Sequence, residues 1–142
     1  MQFRQATSAD AKLLAPLNAQ LIQDEGHRNP MTVPQLAERM AGWLQTDYAA
    51  VIVEERDEAV AYALYRRESD HVYLRQLFVR RDHRRQGIGR QLMAWLWQNV
   101  WQGVPRLRID VLVDNVVGQA FWRSIGFKDY CITMEMQPPV SA

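Results

Sequence analysis

The stretch VRRDHRRQGIGRQL, Val79 to Leu92, decides how this chain is read. It holds five arginines and a histidine, then two glycines one residue apart, then the start of an apolar run. Glycine weakens a helix interior, so a pair of glycines at a helix start needs a reason. The first turn of a helix leaves N–H groups unpaired, at the positive end of the helix dipole. Gly87 and Gly89 lack a Cβ, so an anion can approach that backbone closely. Arg84, Arg85 and Arg90 would add charge-assisted hydrogen bonds. The pattern points to a ligand bearing several phosphates. The alternative is an ordinary strand-to-helix crossover with a solvated arginine cluster.

Two nucleotide motifs are excluded. A P-loop needs Gly-Lys followed by Ser or Thr, which occurs nowhere in the chain. A dinucleotide fingerprint needs a third glycine where this chain has Leu92.

Outward from that stretch the periods are clear. YAAVIVEE, ERDEAVAYALYRR and HVYLRQLFV read as three consecutive strands, separated by the polar clusters Arg56-Asp57-Glu58 and Glu68-Ser69-Asp70. Such short connections imply antiparallel hairpins. Upstream, Phe3 to Ala6 reads as a strand. Thr7 to Asp10 resembles a capping box, followed by Leu14, Leu17 and Leu21 at helical spacing. Pro16 should kink that helix. Asp24 to Pro30 is a polar loop. Thr32-Val-Pro-Gln35 opens a second helix with Leu36, Met40, Trp43 and Leu44 on one stripe. Downstream, Gly87 to Trp101 reads as a buried helix ended by Gly103-Val104-Pro105. Arg106 to Val113 follows as a strand, then a helix over VGQAFWRSI capped by Gly126, then a final strand from Phe127 to Met136. The order β-α-α-β-β-β-α-β-α-β is an α/β (α+β mixed sheet) arrangement, with the Gly87 helix linking two parallel strands.

The length of 142 residues suits one domain spanning 1–142, and no apolar run reaches membrane-spanning length. The single cysteine, Cys131, cannot form an internal disulfide, and MQFRQATSAD has no signal-peptide core; both suggest a cytoplasmic setting. Net charge is only +1, so the positive charge is local and nucleic acid is not an expected partner. No second histidine or cysteine lies at metal-ligand spacing, so no metal is expected. Trp95, Trp97 and Trp101 read as packing residues and Cys131 as a small strand hydrophobe.

Arg84-Arg85-Gln86-Gly87-Ile88-Gly89 resembles Q/R-x-x-G-x-G/A, the acetyl-coenzyme A signature of the GNAT superfamily of N-acetyltransferases. YLRQLFV resembles that family's fourth strand. Asn115, Ala120-Phe121-Trp122 and Gly126-Phe127 resemble its second signature, N…A…(F/L)Y…GF. The resemblance implies the GNAT acyl-CoA N-acyltransferase fold, with acetyl-CoA as cosubstrate. It implies cofactor contacts at Leu77, Phe78, Val79, Arg84, Arg85, Gln86, Gly87, Ile88, Gly89, Arg90, Asn115 and Phe121. The main-chain N–H groups beside the glycines would grip the pyrophosphate. The strand backbone near Leu77 to Val79 would pair with the pantetheine arm, opposite the strand Arg106 to Val113. Dimers are common in the family, so a homodimer is an expectation.

Direct acyl transfer from a thioester to a small-molecule or peptide amine needs a neutral amine, a donor for the oxyanion and a way for the thiolate to leave. A strand N–H near Phe78 or Val79 is the natural donor. Many family members supply a tyrosine as acid where this chain has Trp122, and an indole is no proton source. Tyr130 and Tyr73 are substitutes, and no catalytic residue is assigned. Glu25, His27 and Arg28, in the loop that commonly borders the acceptor site, are substrate-facing candidates. Arg75 is another; pointing inward it would repel polyamines and suit an acceptor with a carboxylate or phosphate. A domain that binds acyl-CoA without catalysis is the rival reading.

Overall fold

The computed structural model describes residues 1–26 and 28–140. Its sheet runs in the order β1 (Gln2–Gln5), β2 (Tyr48–Glu55), β3 (Glu58–Arg67), β4 (Val72–Val79), β5 (Leu107–Arg108). The first three pairings are antiparallel and the last is parallel. The β2–β3 hairpin closes through Arg56 and Asp57, both at positive φ (52° and 64°), as a two-residue turn of primed type demands.

Helices α1 (Ala11–Glu25) and α2 (Val33–Gln45) cover one face; α3 (Ile88–Asn99) and α4 (Val116–Ser124) lie on the other. Period-two alternation sorts β2 and β3 between two cores. Ala50, Ile52, Tyr62, Leu64 and Phe78 meet Leu14, Leu17, Leu21 and Met40. Val51, Val53, Ala61, Ala63, Tyr65, Val72 and Leu74 meet Ile88, Leu92, Met93, Leu96 and Trp101. Trp101 is fully buried, edge-on to Tyr65, and Trp95 stacks on Phe3 at 5.1 Å. Those two are packing residues, and Trp97, though partly exposed, packs edge-on against Trp101 at 5.6 Å.

Both helix-start signals form. The Thr32 hydroxyl accepts from the Gln35 N–H, and the Gln35 side chain accepts from the Thr32 N–H. The Asp10 carboxylate accepts from the Thr7 N–H and takes both arms of Arg4, at 2.9 and 3.0 Å. Pro16 sits inside α1, which runs on through it.

Two strands differ from expectation. Only Leu107 and Arg108 of the stretch from Arg106 to Val113 pair with β4. Phe127 to Met136 forms no strand; Tyr130, Ile132, Met134 and Met136 keep their alternation but lie exposed. The reason is shared. A strand needs a neighbour's main chain, and β5 offers a ladder of two residues with nothing for a sixth strand to continue.

The Asp10 carboxyl is held below its usual range, first by the Arg4 hydrogen bonds, which outweigh its burial. A lowered folded value means stabilisation present above the unfolded value, roughly pH 3.9, and lost as pH falls through the folded one. Asp10→Asn, which removes the charge that pairs with Arg4, should cost up to about 1 kcal/mol at neutral pH. In urea titrations the gap to the parent should close toward pH 2.

Candidate active site

The stretch that opens the chain's reading leaves β4 through a single 3-10 turn, Arg81 to His83, and enters α3. Arg85 (φ 64°) and Gly87 (φ 76°) both take left-handed conformations. A Cβ on Gly87 would meet nothing within 4 Å, so its outer side is open to a ligand. The first bond of the α3 turn runs from the Gln91 N–H to the Gly87 carbonyl. The N–H groups of Ile88, Gly89 and Arg90 therefore have no intrahelical partner.

Gly89 is glycine for a different reason. A Cβ there would stand 3.1 Å from the Phe121 ring and 3.9 Å from Leu77. The residue is buried, and Phe121 of α4 packs directly on the α3 backbone. One glycine supplies an open left-handed turn; the other permits helix against helix.

The loop arginines divide. Arg84 donates through Nε to the Val79 carbonyl (2.9 Å) and also pairs with Asp24 at the end of α1. Arg81 joins the same carboxylate at 2.8 Å. Burial works to raise the Asp24 pKa, but the bonds from Arg84 and Arg81 outweigh it and the carboxyl titrates low. Arg90 reaches Ser124 of α4 at 2.8 Å. Arg85 is exposed and, among the described residues, has no ion-pair partner.

Beside this loop the sheet opens. The ladder between β4 and β5 holds only Val72↔Leu107 and Tyr73↔Arg108. The Arg80 N–H bonds the Val60 carbonyl of β3. Antiparallel alternation then turns the main-chain groups of Phe78 and Gln76 toward β3, and those of Leu77 and Val79 toward the gap. Arg84 meeting the Val79 carbonyl there fits this alternation. Farther along, Tyr73 crosses the gap by donating to Asp110 at 2.7 Å; burial first, and then Asp110, pushes its pKa up to about 12.

On the α1–α2 face, β4 carries a bulge. Leu64 pairs with Gln76 but Tyr65 with Leu74, so Arg75 is an extra residue. Arg75 and Gln76 consequently project to the same face. Gln76 accepts from the Tyr62 hydroxyl at 2.8 Å, and Arg75 lies 4.6 Å from the Trp43 ring centroid. Tyr62 is buried, which above all raises its pKa; the negative charge of Glu25 adds to the rise. The end of α1 thus brings a carboxylate near the Tyr62–Gln76 pair.

The chain matches the model of the acetyltransferase (GNAT) family over residues 18–127. It belongs to the GNAT acetyltransferase family. No curated protein matches it by sequence. Solved structures with the same fold include a mutant BH1408 protein from Bacillus halodurans, 25% identical, with 98% of this chain and 100% of that chain covered at TM-score 0.79. A possible acetyltransferase from Clostridium difficile 630 is 17% identical, with coverage of 99% and 98% and TM-score 0.79. The aminoglycoside N-acetyltransferase AAC(6')-Iy in complex with CoA is 18% identical, with coverage of 98% and 95% and TM-score 0.77.

The residues expected to contact a cofactor lie in different surroundings. Leu77, Val79 and the run Arg84 to Arg90 line the gap and the α3 start, with Phe121 packed against Gly89. The Phe78 side chain is buried in the opposite core beside Tyr62. Asn115 uses its side-chain oxygen to cap α4, accepting from the Gly118 N–H at 2.9 Å. Trp122 packs edge-on to both Phe121 and Phe127. Arg28 pairs with Glu135 of the C-terminal segment at 2.9 Å. His27 lies outside the described residues. Asn18, Arg39, Tyr48 and Tyr62 join this face without having been singled out in the sequence. The one available signal was the Arg75-Gln76 pair, which breaks the alternation of β4.

Asp24→Asn removes the anchor of two loop arginines. Both are substantially exposed, so global stability should change by no more than about 1 kcal/mol. Amide exchange between Arg80 and Gly89 should nonetheless accelerate. The parent should show the same loss of protection, measured against the intrinsic exchange rate at each pH, as pH falls below about 3.9 through the lowered Asp24 value.

Proposed function

We propose that the chain is an acetyl-CoA-dependent N-acetyltransferase that acetylates a primary amine of a small molecule or peptide by direct attack in a ternary complex. The observation that carries this reading is the early parting of β4 and β5 next to an open, glycine-turned helix start. The fit to a coenzyme A-type cosubstrate rests on the chain's own atoms. Unpaired N–H groups at Ile88, Gly89 and Arg90, with Arg85 beside them, suit a pyrophosphate. The edge of Leu77 and Val79 suits the amides of a pantetheine arm. The cosubstrate, when bound, supplies an activated acyl group on sulfur.

The protein's share of the work follows. The Val79 and Leu77 N–H groups are the donors for an acyl oxygen that gains negative charge, in place of Phe78, whose N–H is turned to β3. Glu25 is the acceptor for the amine's proton, since its charge already reaches Tyr62. Tyr62 holds Gln76 in place and keeps its own proton. Trp122 offers no acid, and the Tyr130 hydroxyl accepts from Arg108 on an exposed segment. An alkyl thiol titrates at about 8.5, so its thiolate leaves without an obligatory proton donor. Trp122 also sustains the rival reading of an acyl-CoA-binding module without turnover.

Calorimetric titration of acetyl-CoA is the test. The parent should bind it, and Arg85→Gln with Arg90→Gln should weaken binding roughly tenfold or more. Thiol release with an amine panel then separates the enzyme from the binding module. No binding by the parent would overturn the reading. Gly89 is a poor place for a blocking substitution, because Phe121 fills the space a side chain would need.

A further inference from the structure

Acetyl transfer does not require the pair of guanidiniums that the α1–α2 face assembles. Arg39 comes from α2 and Arg75 from the β4 bulge, and Trp43 takes both. Their guanidinium carbons stand 4.3 and 4.6 Å from its ring centroid. Among the described residues, each donates only to a neutral acceptor. Arg39 donates to the Asn18 side-chain oxygen at 3.2 Å, and Arg75 to the Tyr48 hydroxyl at 3.3 Å. Among the described residues, neither has a carboxylate in ion-pair range.

Arg39 is also poorly solvated on its inner side. The Arg39 Nε is shielded from solvent and has no hydrogen-bond partner. Asn18 is fully buried, and its amide nitrogen, which faces Tyr62, makes no hydrogen bond of normal geometry. The Arg39 pKa is pulled down by burial and then by the charge of Arg75. Two like charges, one half-buried and one exposed, share one indole, and among the described residues neither has a carboxylate in ion-pair range; an incoming anion would relieve that arrangement.

The surroundings fix the direction. Tyr62 lies within the electrostatic reach of Arg39 and of Glu25 alike, and it bonds Gln76 next to Arg75. Around Tyr62, Glu25 supplies negative charge and Arg39 positive charge, with Arg75 next to Gln76. Arg39 also lines a depression of about 480 Å³ with Pro30, Met31, Gln35 and Glu38, which opens Arg39 to the outside, and Arg75 is itself exposed.

We propose that Arg39 and Arg75, held on Trp43, form an anion subsite, and that the acceptor is a small amine that also carries a carboxylate or phosphate group. This rests on the transferase reading. The anion seats between the two guanidiniums, and the amine reaches back toward Glu25 and Gln76. A polycationic amine would meet two positive charges there. Arginine suits the task because its planar fork binds carboxylate or phosphate through two parallel bonds and stacks on an aromatic ring.

The test has one arm without turnover and one with it. Inorganic phosphate is titrated into the protein, with Trp fluorescence as readout, for the parent, Arg39→Gln, Arg75→Gln and the double variant. Phosphate should perturb the parent's fluorescence, and the double variant should lose the response at least tenfold in affinity. A response absent in the parent, or unchanged in the double variant, overturns the proposal even if the enzyme turns over. In the second arm, thiol release is compared for matched amines: alanine with alaninamide, and phosphoethanolamine with ethanolamine, alongside spermidine. The anionic member of each pair should lead at least tenfold in kcat/KM. Each Gln variant should pull that ratio toward one, and Arg39→Lys should restore part of it. A lead for the neutral amines or for spermidine overturns the proposal. Failure of every amine, with the phosphate response intact, counts against the transferase reading and leaves the anion subsite standing.

Discussion

The parting of β4 from β5 is the constraint on which the rest of the site depends. Two residues on each strand pair, and then the strands separate. Inside the sheet, from β1 to β4, the facing main chains of neighbouring strands pair along their ladders. On the gap side, Leu77 and the Val79 N–H have no strand partner, the Val79 carbonyl being met by Arg84, and unpaired backbone is costly unless water or a ligand meets it. The gap therefore has the chemistry of a missing strand. It lies beside the unpaired N–H groups that begin α3. A ligand with amides along one part and phosphates at the other matches the two features at once, because both present main-chain N–H groups without a backbone partner.

The two faces of the sheet do different work around that gap. The α3–α4 face is held by packing, and its tightest point is Phe121 against Gly89. The α1–α2 face is held partly by polar contacts: Asn18 with Arg39, Tyr62 with Gln76, Arg75 with Tyr48. Asp24 joins the two regions. It sits at the end of α1 next to Glu25, yet its carboxylate holds Arg81 and Arg84 of the loop before α3. The charge that looked like a uniform basic loop in sequence is thus partly spent inside the protein, leaving Arg85 outermost.

Much of the architecture was legible. Strand periods in Tyr48 to Val79, the Thr32–Gln35 cap and the glycine pair gave element types and order, because each is a local property of the chain. The family resemblance of Arg84 to Gly89 located the helix start. What was not legible depends on tertiary partners. Nothing in RLRIDVLV tells where a ladder will stop, and nothing in YCITMEM tells that its alternation will find no neighbouring strand. Gly89 and Gly87 look equivalent in sequence but answer to different contacts. Asn115 carries a signature position and spends its side chain on a helix cap. Arg39 gave no signal, since a single arginine on an amphipathic helix reads as solvated surface.

The bulge at Arg75 changes what the length of β4 means. Val72 and Leu74 face α3, as do Leu77 and Val79, while Gln76 and Phe78 face α1 and α2. With Arg75 left out, the sequence Val-Tyr-Leu-Gln-Leu-Phe-Val would alternate without interruption and put every remaining side chain where it already stands. The strand is one residue longer than its fold needs. Arg75 therefore behaves as an insertion that the hydrophobic register absorbs, and a shorter relative would keep both cores intact. Such a relative would lose the local bend and the second guanidinium on Trp43, so chain length at this one position separates the scaffold from its specificity.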